Sequence, residues 1–90
     1  KAPACILTSP ESGRVMEVYT SYPGLMLYTG DYLQSSETGN HGKVYGPFDG
    51  LCLECQYFPD SPNQSLFPST VLTPEAVYQH SIHFKFRTIA

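Results

Sequence analysis

The 90-residue sequence has no tryptophan, few charged residues and no long apolar run. Charged side chains make up 14% of it, below the roughly 25% usual in soluble domains, which predicts that part of its surface is covered. With a net charge of −3 and no basic stripe, the sequence argues against nucleic-acid binding. Its longest apolar runs, residues 4–7 and 25–28, are too short for a membrane-spanning helix or a signal-peptide core. This length allows at most one small domain.

The three cysteines are an odd number, which argues against a disulfide framework and predicts a reducing, cytoplasmic setting. Cys52 and Cys55 have the spacing of a zinc or redox pair. Residues three apart in a strand point to opposite faces, so this pair would not converge on one ion. We interpret both as packing residues, and a small zinc-binding domain is the alternative that metal in the purified chain would revive.

Eight prolines and seven glycines interrupt the chain at short intervals, which argues against long helices. The stretches between them are rich in β-branched, aromatic and aliphatic residues and predict strands near residues 5–8, 15–21, 25–29, 51–58 and 78–89. In the last stretch apolar and polar residues alternate, which also places His80 and His83 on opposite faces as surface or hydrogen-bonded histidines. Many short strands with Gly/Pro turns predict an all-β antiparallel sandwich or barrel.

Residues 50–60 place a carboxylate, Glu54, in a run of apolar and aromatic residues. Both faces of this predicted strand carry apolar side chains, so we expect it to be a central strand that is covered on both sides. A carboxylate there would be held stiffly and poised as a general base. The alternative is a structural ion pair with one of the cations of the chain, namely Arg14, Lys43, Lys85 or Arg87.

Five ordered segments carry a family resemblance: residues 12–20, 22–31 and 50–60, then Asn63 with residues 67–69, and the closing strand to Phe86. Among them are Tyr22-Pro23-Gly24-Leu25-Met26 and the Leu-Glu-x-Gln motif at residues 53–56. In order, spacing and distance to the C-terminus, they resemble the C-terminal part of the aldose 1-epimerases, the galactose mutarotases. The resemblance implies a large antiparallel β-sandwich, to which residues 1–90 would contribute the last strands as an incomplete domain.

The resemblance also implies a function: members interconvert the α and β anomers of free aldohexoses such as galactose and glucose, without metal or cofactor. Glu54 matches the family's general base, and Met26 stands where many members carry a sugar-binding glutamine. The family's acid is an upstream histidine that none of His41, His80 and His83 matches. We therefore expect the upstream part of the same sandwich as a partner, an aldohexose as substrate, and no efficient catalysis by the isolated chain. The alternative is a non-catalytic carbohydrate-binding or structural module of the same fold.

Overall fold

A computed structural model describes residues 1–89, and its architecture is antiparallel β throughout, which confirms the predicted class. The strands of this part of the chain are β1 (Cys5–Thr8), β2 (Arg14–Thr20), β3 (Gly24–Tyr28), β4 (Cys52–Gln56) and β5 (Ile82–Thr88), and a short 3-10 helix covers Ser61–Asn63. Residues 1–89 contain no helix with the length and hydrophobicity that spanning a bilayer requires.

The first sheet has three strands in the order β1-β2-β5, all antiparallel. Its middle strand is β2, in which Val18 lies opposite Cys5 on one side and Phe84 on the other. Val18 is completely buried and Val15 is 3% exposed, and both belong to the strand of this sheet that has a neighbour on each side. The core of the described chain is therefore centred on β2.

The second sheet consists of β3 and β4, again antiparallel. Its register runs from Gly24 opposite Gln56 at one end to Tyr28 opposite Cys52 at the other. The two sheets approach each other at the start of β4, where Leu51 borders the same apolar groove as Phe86 of the first sheet.

Beyond β3 the chain makes a close backbone contact that determines how the loop to β4 begins. Gly30 has a φ of 78°, and a β-carbon there would lie 2.2 Å from the carbonyl oxygen of Gly50. The Gly30 carbonyl accepts hydrogen bonds from the backbone N–H groups of Leu33 and Phe48. Only glycine combines a positive φ with such a close approach, so this residue ties both ends of the 29–51 loop together.

Two sequence predictions are wrong, one about where the last strand begins and one about the neighbours of β4. The last strand begins at Ile82 instead of residue 78, because the preceding residues pack in an aromatic cluster. Within residues 1–89, β4 pairs with β3 alone, so it is not a central strand covered on both sides. Glu54 is consequently exposed.

Candidate functional site

Glu54 and Met26 are direct cross-strand partners in the β3–β4 register. Opposed residues of an antiparallel pair project from the same face, so the two side chains are neighbours. Glu54 is exposed and Met26 is 42% exposed. The structure thus brings together, on one open face of the second sheet, the two residues that the sequence analysis singled out.

The carboxylate of Glu54 takes part in none of the side-chain hydrogen bonds or ion pairs found among residues 1–89. Two of the cations considered as its partners are bound elsewhere. Arg87 donates to Glu17, and the Lys43 ammonium lies 3.3 Å from a carboxylate oxygen of Asp49. Glu54 is therefore a solvent-accessible carboxylate on a regular strand, not half of an ion pair with either of these side chains.

An aromatic ring lies on the same face as Glu54, over Gly24, the residue opposite Gln56. A β-carbon added to Gly24 would lie 2.8 Å from Cδ1 of Phe58, so the Phe58 ring occupies the volume above this glycine. Phe67 meets that ring edge to face, with centroids 5.2 Å apart. A face that carries both a carboxylate and an aromatic ring can accept a proton from a hydroxyl at one place while an apolar ring face packs at another.

The first sheet carries a different carboxylate, Glu17, which is 9% exposed. It accepts hydrogen bonds from the Tyr19 hydroxyl at 2.6 Å and from Nε of Arg87 at 2.6 Å. These two bonds hold the pKa of Glu17 below its usual value. The hydrogen bond between Tyr19 and Glu17 also raises the pKa of Tyr19. The sequence alone does not predict that Glu17 binds Tyr19 and Arg87. Arg87 is far from Glu17 in the sequence, and only the β2–β5 register brings the two side chains together.

His80 lies before β5 and not on it, so its predicted place on that strand is wrong, whereas its interpretation as a hydrogen-bonded histidine is confirmed. Its ring stacks on Tyr22 with centroids 4.0 Å apart. Its Nδ1 is 2.9 Å from the Ser21 hydroxyl and its Nε2 is 3.1 Å from the Tyr57 hydroxyl. The imidazole is thus fully engaged away from Glu54.

The remaining histidines and the cysteine pair of β4 do not converge on a common site. His83 lies opposite Tyr19 in the first sheet, and His41 is exposed in the loop between β3 and β4. Cys52 and Cys55 are free thiols that point to opposite faces of β4. Within residues 1–89 no three His, Cys, Asp or Glu side chains are grouped as a metal site would require.

The antiparallel fold and the exposed glutamate on β4 agree with the family that the sequence resembles. The chain belongs to the aldose 1-epimerase family, whose model matches residues 1–85.

Two curated proteins and one solved structure of this family are similar to most of the chain. It is 49% identical over 75 residues to the galactose mutarotase of Mus musculus, covering 83% of this chain and 22% of that protein. It is 46% identical over 61 residues to the aldose 1-epimerase of Haemophilus influenzae, covering 68% of this chain and 18% of that protein. The crystal structure of a GalM/aldose epimerase homologue from C. elegans matches with a TM-score of 0.82 at 30% identity, over 91% of this chain and 25% of that one. The chain thus spans about a fifth of the length of the mouse protein.

Proposed function

We propose that this chain supplies the general base of an aldose 1-epimerase that interconverts the α and β anomers of free aldohexoses such as galactose and glucose. The base is Glu54, and Met26 contributes to the surface against which the sugar binds. The observation that carries the proposal is the placement of Glu54: its carboxylate is exposed, makes no side-chain bond within residues 1–89 and lies opposite Met26. Membership of the family and the mutarotases among the relatives support the same conclusion.

The chemistry requires two proton-transfer groups. Glu54 accepts the proton of the C1 hydroxyl while an acid protonates the ring oxygen, and the C1–O5 bond breaks to give the open-chain aldehyde. Rotation about the C1–C2 bond then presents the opposite face of the aldehyde carbonyl to the O5 hydroxyl. Reclosure with the two proton transfers reversed yields the other anomer, so a carboxylate that can both take and return a proton suits the reaction.

The second group of this relay lies outside the chain in our proposal. His80 is bound by Ser21 and Tyr57, and His83 belongs to the first sheet, so neither contacts Glu54. The partner is the upstream part of the same sandwich, which would supply the acid and cover the apolar side chains of β5. Phe84 and Phe86 are 47% and 72% exposed, as expected of a sheet that another part of a sandwich covers. The three free thiols support a reducing, cytoplasmic setting.

Polarimetry of freshly dissolved α-galactose tests this division of labour. The longest natural form of the protein is expected to accelerate the approach to the equilibrium rotation, whereas the isolated 90-residue chain is expected to leave the buffer rate unchanged. Fast equilibration by the isolated chain that disappears in Glu54→Gln would show that the acid lies on this chain after all.

A second candidate function is a non-catalytic carbohydrate-binding or structural module, and Met26 favours it. A thioether is only a weak hydrogen-bond acceptor, so residue 26 offers a sugar hydroxyl little polar contact. Exchange NMR of the two galactose anomers separates the candidates. Galactose binding without accelerated exchange by the longest natural form would support the module and contradict the enzyme.

A further inference from the structure

Gln56 lies two residues beyond Glu54 on the same strand and therefore on the same face. Two residues along a strand correspond to about 7 Å, comparable to the width of a pyranose ring with its hydroxyl groups. The residue opposite Gln56 is Gly24, and the Phe58 ring occupies the space that a side chain at Gly24 would fill. On this face, Gln56 thus has Glu54 as its neighbour along the strand and the Phe58 ring across from it.

The side-chain amide of Gln56 makes none of the hydrogen bonds found among residues 1–89, although the residue is half-buried. No buried side-chain nitrogen or oxygen in this part of the chain lacks a partner, so the amide reaches solvent on the open face. The Phe58 ring lies over Gly24, across from Gln56. This face of the second sheet therefore carries a carboxylate at Glu54, an unengaged amide at Gln56 and an aromatic ring across from that amide.

We propose that the Gln56 amide binds a hydroxyl of the sugar whose C1 hydroxyl faces Glu54, with Phe58 against the apolar face of the sugar ring. An amide both donates and accepts hydrogen bonds, as a sugar hydroxyl does, so one glutamine can satisfy a hydroxyl completely. Gln56 is a specificity-determining residue in this arrangement, because it contacts one hydroxyl of the sugar and takes no proton. The inference rests on the proposed function, since Glu54 fixes where C1 lies.

The test uses the longest natural form of the protein with Gln56→Met, which keeps an unbranched side chain and removes the amide. We expect the KM for galactose to rise about tenfold and kcat to change by less than about twofold, because a hydrogen bond made equally in the ground and transition states is lost. Gln34→Met makes the same chemical change at an exposed loop residue and should leave KM unchanged. If Gln56→Met loses the circular dichroism of the wild type, Gln56→Asn withdraws the amide by one methylene and should also raise KM.

Deoxygalactoses identify the hydroxyl that Gln56 contacts. Among the 2-, 3-, 4- and 6-deoxy sugars, one should bind the wild type and Gln56→Met equally well, because its missing hydroxyl is the one that the amide binds. An unchanged KM in the Gln56 variants, or an equal rise in Gln34→Met, would overturn the inference while the proposed function stands.

The galactose Kd measured by NMR keeps the two proposals distinguishable. If the wild type binds galactose without exchanging its anomers, and Gln56→Met weakens that binding, the role of Gln56 stands and the proposed catalysis fails. If the wild type neither binds nor exchanges galactose, both are wrong.

Discussion

The two sheets each present a glutamate on a strand, and the two glutamates differ in almost every physical respect. Glu17 of the first sheet is 9% exposed and accepts hydrogen bonds from Tyr19 and Arg87. Glu54 of the second sheet is exposed, and its carboxylate makes no side-chain bond within residues 1–89. One carboxylate is satisfied by the chain itself, and the other is available to a ligand.

This contrast separates a structural carboxylate from a candidate catalytic one. A shielded carboxylate requires its partners, because leaving it unpaired costs the full desolvation of a charge. Glu17 therefore contributes to the stability of the first sheet and is poorly placed to accept a proton from a ligand. Glu54 has no such structural duty within the described residues, which is what a residue that exchanges protons with a substrate requires.

The largest effect on stability is expected from replacing Gly30, which lies beside the second sheet, and Gly13 beside the first sheet is its matched control. Gly30 and Gly13 have φ values of 78° and 77°, but a β-carbon at Gly30 would lie 2.2 Å from the Gly50 oxygen, whereas one at Gly13 would meet nothing within 4 Å. Gly13→Ala should cost about 1 kcal/mol of unfolding free energy, and Gly30→Ala about 3 kcal/mol or more, because the second also forces backbone apart. Urea unfolding of the longest natural form measures both. Equal losses in the two variants would contradict the close contact between the ends of the 29–51 loop.

A smaller effect is expected from Met26→Gln, which makes the open face of the second sheet more polar. An amide opposite Glu54 can hydrogen-bond a sugar hydroxyl that a thioether cannot, so the KM for galactose should fall by about two- to tenfold. Leu27→Gln introduces the same side chain at the next residue, whose side chain points to the other face of β3, and should not lower KM. An equal fall in both variants would contradict the assignment of the binding face.

The smallest effect concerns the pH dependence that Glu17 gives to the first sheet. Because the folded state holds the pKa of Glu17 below its ordinary value of 4.5, the unfolded chain takes up a proton first as the pH falls. The stabilisation is therefore complete above that value and is lost as the pH falls through it and below. Unfolding midpoints measured from about pH 6 to about pH 3 should decline less steeply in Glu17→Gln than in wild type. Glu54→Gln is the matched control. If its unfolding midpoint declines with falling pH as little as that of Glu17→Gln, Glu17 has no special part in the pH dependence of stability.

The positions of the strands followed from the sequence because β-branched and aromatic stretches between Gly/Pro turns leave few alternatives. The prediction for residues 78–81 failed because tertiary contacts override local propensity: Tyr22 and Tyr57 hold His80 outside β5. The expected burial of Glu54 failed for a related reason, since strand composition does not reveal how many neighbours a strand pairs with in the described chain. The Glu17 group depends on the register between strands far apart in sequence, which no local pattern encodes.

The role of Glu54 as the base is tested by the rate of galactose anomer exchange that the longest natural form with Glu54→Gln catalyses. Removing a general base that touches the substrate should lower kcat by about 10²- to 10⁴-fold, while the galactose Kd and the unfolding midpoint stay close to those of wild type. Glu11→Gln, in the exposed turn before β2, should retain full activity. Exchange at the wild-type rate by a correctly folded Glu54→Gln variant would show that Glu54 is not the base.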